Sequence, residues 1–63
     1  MRDPRQSADV GEALLVLGSL KDARGDKATA ADYARRSVEA LTNSLGQQHR
    51  LTQEAAALLK LTR

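Results

Sequence analysis

The chain has 63 residues, a formal charge of +2 from ten Lys and Arg against eight Asp and Glu, and no Cys, Trp or Phe. That length allows one small domain whose core buries only about 60% of the unfolded surface, and without cysteine neither a disulfide nor a thiolate metal site can staple it. An apolar run such as Ala13 to Leu17, which no other run exceeds, is far short of the roughly 18 residues that span a membrane, and Met1-Arg2-Asp3-Pro4-Arg5 lacks the apolar stretch of a signal peptide, so the expectation is a cytoplasmic chain with no membrane partner.

Residues 1–6 read as a disordered tail, and residues 7–63 as a single domain. The first helix is expected over about 8–23, with Ser7 as its N-cap and Asp9 and Glu12 complementing the helix dipole in its opening turns. Val10, Ala13, Leu14, Leu17 and Leu20 follow the 3–4 spacing of a buried stripe. Leu15, Val16 and Ala23 lie off it, so the helix is apolar around more than half its girth and predicts neighbours on two sides. Gly11 and Gly18 share one face, at a cost of about 1 kcal/mol each relative to Ala. Close approach of a second helix backbone at Gly18 accounts for that cost.

The break at Arg24-Gly25-Asp26 ends the first helix and starts the second, expected over about 27–44 with Asp26 as N-cap. Its stripe is Ala30, Ala31, Ala34, Val38, Leu41 and Leu45, thin at the start, where an antiparallel hairpin would set it against Gly18. Tyr33, the only aromatic residue, reads as a core-edge ring. The pair Arg35-Arg36 reads as part of a solvated face, since adjacent helical residues do not point the same way.

After Leu45-Gly46-Gln47-Gln48-His49, a third helix is expected over about 50–61, with Leu51, Ala55, Leu58, Leu59 and Thr62 on one side. Ala56, Ala57 and Leu61 leave its other side apolar as well. The fold class is therefore all-α: a helical hairpin plus a third helix, with more apolar face than the chain itself can cover. That surplus predicts a core completed by self-association, a homo-oligomer with a dimer favoured. Leu51, Leu58, Leu59 and Leu61 would form the docking surface, with Leu15 and Val16 next.

The inventory of reactive groups is poor for an enzyme: four isolated serines, a single His in a connection, no metal-ligand cluster and no phosphate-cradling glycine loop, hence no cofactor and no catalytic or metal residue. His49 reads as a helix-start residue whose ring hydrogen-bonds the local backbone. Nucleic-acid binding has weak support, because positive and negative residues are interspersed, as in Lys21-Asp22 and Asp32 before Arg35. A helix-turn-helix reading would place Arg50, Thr52 and Gln53 against bases, but Glu54 beside them would repel phosphates.

Leu14-Leu15-Val16-Leu17-Gly18, Gly25-Asp26 and Ala30 follow the start, the turn and the small second-helix position of a tetratricopeptide repeat, and the first two helices resemble that helix–turn–helix unit of about 34 residues. Ser44-Leu45-Gly46-Gln47-Gln48-His49 is similar to the Leu-Gly-x-x-His link of the kinesin-light-chain type, and the third helix resembles the start of a next repeat. The chain departs from the pattern at Leu14 and Lys21, which fill slots for large aromatic residues, and at Tyr33, one position early with Ala34 in its slot. The resemblance implies protein or peptide binding on a concave face lined by the first helix of each repeat, by position Glu12, Leu15, Ser19, Asp22 and Ala23. The competing expectations are a small DNA-binding or regulatory helical domain, and a segment of a longer tetratricopeptide solenoid.

Overall fold

The computed structural model describes residues 7–62. It contains three helices, α1 Ala8–Ala23, α2 Lys27–Leu45 and α3 Arg50–Thr62, and no strand among the described residues. The fold is all-α, as expected, with α2 and α3 each ending one residue later than the sequence pattern indicates. The tail expected over 1–6, and Arg63, lie outside the described residues.

Local chemistry sets the helix ends. The Ser7 hydroxyl accepts a 3.2 Å hydrogen bond from the Val10 amide and caps the start of α1. At the other end Gly25 takes φ +83°, which favours glycine. This conformation lets the Gly25 amide donate to the Asp22 carbonyl at 3.0 Å and the Asp26 amide donate to Lys21 at 2.9 Å, the two bonds of a Schellman motif. Asp26 then serves the next helix, its carboxylate accepting from the Thr29 amide at 3.2 Å. One residue thus closes α1 and opens α2, which forces a tight hairpin. The end of α2 falls at Gly46, with φ +90° and ψ 163°, a backbone region essentially confined to glycine.

The hairpin is antiparallel: Gly11 near the start of α1 meets Leu41 late in α2, and Gly18 meets Ala30 and Tyr33 near the start of α2. Helix α3 packs mainly on α2 and touches α1 less. The core between the helices is built largely from small side chains. Ala30, Ala34, Ala40, Leu41, Ala55 and Leu58 are its apolar members, joined by Ser37, Thr52 and Thr62. Tyr33 is half-buried beside Gly18, at the edge of this core.

The buried face of α1 is not the one its large residues predict. Gly11 and Gly18 are its buried positions, with Val10, Leu14 and Leu15 half-buried. Of the expected stripe, Ala13 is exposed, Leu17 is 41% exposed and Leu20 is 52% exposed. Backbone proximity is the physical reason. A Cβ on Gly11 would lie 2.6 Å from Leu41 Cγ, and one on Gly18 would lie 3.0 Å from Leu58 Cδ2 and 3.4 Å from the Ala30 carbonyl oxygen. The helices approach where α1 has no side chains, so Val16, Leu17 and Leu20 turn outward while Val10, Leu14 and Leu15 flank the contact. In α2 and α3 the expected stripes hold in outline: Ala31, Val38, Leu45, Leu51 and Leu59 are half-buried at the margins, while Ser37, Ala40 and Thr52 are buried in addition.

Candidate interaction site

Packing α3 beside α1 leaves a groove between them, lined by Leu15 and Ser19 of α1 and by Glu54, Ala57, Leu58 and Leu61 of α3. Its floor is apolar, with Ser19 and Glu54 supplying polar groups. Two residues of the expected concave face, Leu15 and Ser19, lie here together with three of the expected self-association surface, Leu58, Leu61 and Leu15 again. Leu61 is 73% exposed, whereas Leu58 is 8% exposed and sits against Gly18. Leu58 therefore belongs to the chain's own core and offers a partner only its edge.

The other expected concave residues share this flank of α1 without lining the groove. Glu12 and Ala23 are exposed, and the Asp22 carboxylate accepts a hydrogen bond from Lys27 Nζ at the hairpin turn. A second groove runs between α2 and α3, formed by Ala28, Ala31, Asp32, Arg35 and Leu59. Asp32 pairs there with both arginines, Arg35 at 2.8 Å and Arg36 at 3.1 Å. Leu51, also expected on the self-association surface, is half-buried in the first turn of α3 and lines neither groove.

The third surface is the outer side of α1. Val16 is 54% exposed there, next to Leu17 and Leu20 and the exposed Ala13. Val16 is expected on such a surface from the sequence, whereas Leu17 and Leu20 follow the spacing of the buried stripe and are found outside the core. A signal for the correct orientation is present in the glycines: Gly11 and Gly18, seven residues apart, fall within about 20° of each other on the helix and mark the side of closest approach. Val16 and Leu20 then point the opposite way.

His49 stands at the start of α3, where its Nδ1 accepts a 3.1 Å hydrogen bond from the Leu51 amide and its carbonyl accepts from Gln53 at 3.0 Å. It caps the helix. Among the described residues no group of three or more His, Cys, Asp or Glu is placed to hold a metal ion, and no helix is long and apolar enough to cross a membrane. Comparison with protein families, curated proteins and solved structures finds no match for this chain.

Proposed function

We propose that this chain is a helical protein-interaction module of tetratricopeptide type, a binding protein rather than an enzyme, and that one of its partners is itself. The observation that carries this reading is the row of large apolar side chains on the outer side of α1: Val16, Leu17 and Leu20 at 54%, 41% and 52% exposure. Burying such side chains is worth about 1.5–3 kcal/mol each when complete, and a contiguous apolar face left in water marks an interaction surface. A core whose apolar members are mostly Ala adds to the argument, because the module gains from any contact that extends it. The groove beside Leu15 and Ser19 supports the same reading for a peptide or protein segment laid along α1 and α3. The order of Gly18, the Gly25 turn and Ala30, with the helices meeting at Gly18 and Ala30, supports the tetratricopeptide assignment.

Sedimentation equilibrium of the full chain tests the reading. It predicts a mass above that of the monomer and a melting temperature that rises with protein concentration. Leu20→Glu should return the mass to the monomer while far-UV circular dichroism keeps its helical signature. A wild-type chain that stays monomeric up to about 1 mM and melts cooperatively would overturn it.

A further inference from the structure

The outer side of α1 carries a charge pattern as well as an apolar one. Asp9 and Arg24, both exposed, stand at its two ends, and Ala13, Val16, Leu17 and Leu20 lie between them. At 100° per residue, Asp9, Ala13, Leu20 and Arg24 fall within about 60° of one another on the helix, with Val16 and Leu17 on either flank. The arrangement is symmetric about the midpoint of Val16 and Leu17. Asp9 and Arg24 are equidistant from that point, each about 11 Å along the axis, and so are Ala13 and Leu20. Among the described residues no ion pair uses Asp9 or Arg24.

We propose that the occupant of this face is α1 of a second copy, crossing antiparallel about a two-fold axis that passes between Val16 and Leu17; this rests on the self-association reading above. In that register Asp9 opposes Arg24 of the second copy, and Arg24 opposes its Asp9, so both ends of the interface gain an ion pair. Leu20 fits over the small Ala13 of the second copy at each end, a large residue against a small one. Val16 meets its own mate on one side of the axis and Leu17 meets its mate on the other. This is the isologous contact that a two-fold dimer requires, one patch complementary to itself. A parallel pairing would set Asp9 on Asp9 and Arg24 on Arg24, opposing like charges at both ends. The charge pattern thus selects the antiparallel arrangement, and α3 offers no equivalent face, since Leu61 is its one large apolar residue in the exposed class among the described residues.

Charge exchange in the full-length chain tests the register. Asp9→Arg and Arg24→Asp each place like charges at both ends of the homodimer, and each should dimerise about tenfold more weakly than wild type by sedimentation. An equimolar mixture of the two variants should dimerise like wild type, because every Arg then faces an Asp. A second readout does not depend on these variants folding well. The chain has no cysteine, so Val16→Cys should be joined into a covalent dimer by a short bis-maleimide, and Ala56→Cys on α3 should not. Restoration in the mixture together with cross-linking at Val16 supports the register. A dimer indifferent to both charge changes and cross-linked as well through Ala56 overturns the register while leaving self-association standing. A monomeric wild type overturns self-association itself, and the register with it.

Discussion

The Ser37 hydroxyl donates a 2.7 Å hydrogen bond to the Gly11 carbonyl, joining α2 to α1 across 26 residues of sequence inside the core. Ser37 is fully buried, and this bond satisfies a hydroxyl that would otherwise be stranded there. It also fixes the axial register of the hairpin. Ser37→Ala should cost about 1 kcal/mol, the usual net worth of a hydrogen bond between neutral groups. In a domain of this size that lowers the melting temperature by about 4–8 °C. A thermal melt identical to wild type would show that the bond contributes nothing.

The two helical glycines should respond differently to alanine. Alanine gains about 1 kcal/mol of helix propensity at either site. At Gly11 the new Cβ would meet Leu41 Cγ at 2.6 Å and the Leu41 backbone nitrogen at 3.3 Å, and Leu41 is fully buried with no room to retreat. Overpacking of that kind costs about 1–3 kcal/mol, so Gly11→Ala should be destabilising overall. At Gly18 the nearest atom, 3.0 Å away, is Leu58 Cδ2 at the flexible end of a side chain. Gly18→Ala should therefore come out near neutral. Chemical denaturation of both variants gives the order, and a larger loss at Gly18 than at Gly11 would contradict the packing described.

What the sequence discloses here follows from how local each determinant is. Ser7, Asp26, Gly25 and Gly46 act within a turn of their own positions, so the helix ends fall within a residue of expectation. The inward face of α1 depends on the partner helix. A pattern of Leu and Val at 3–4 spacing finds an apolar side, but α1 has two such sides, and size alone selects the wrong one. The smallest residues decide, because Gly11 and Gly18 let α2 come close enough for Ser37 to reach a backbone carbonyl. The α1–α3 groove was legible in part. Leu15 and Ser19 follow from the repeat resemblance, while Glu54 and Ala57 depend on how α3 is rotated, which no local signal in α3 sets.

Two threonines of α3 make a further contrast. Thr52 is 4% exposed, and its hydroxyl is buried without a hydrogen-bond partner among the described residues. Thr62 is also buried, but its hydroxyl donates to the Leu58 carbonyl at 3.0 Å. Valine has the shape of threonine without the hydroxyl, and its helix propensity is similar. Thr52→Val should thus stabilise the fold by about 1 kcal/mol through removal of an unpaired polar group. Thr62→Val, which gives up a bond, should be neutral or destabilising. Equal effects at the two sites in urea unfolding would dismiss the distinction.

His49 offers the last test, since an isolated histidine invites a chemical role that its contacts do not support. Its Nδ1 does the work of an N-cap side chain for α3, accepting from the second amide of the helix, Leu51, at 3.1 Å. Any residue that accepts as well from that position should replace it. His49→Asp should keep or slightly raise stability, because aspartate is among the best N-caps and its charge suits the positive end of the helix dipole. His49→Ala should lose about 0.5–2 kcal/mol by leaving the amide to water. The same pair of variants tests whether α3 supports self-association. If α3 positions Leu58 against Gly18 and thereby steadies α1, His49→Ala should weaken the proposed dimer and His49→Asp should leave it intact. Melts that rank alanine above aspartate would show that His49 is held there for some other reason than capping.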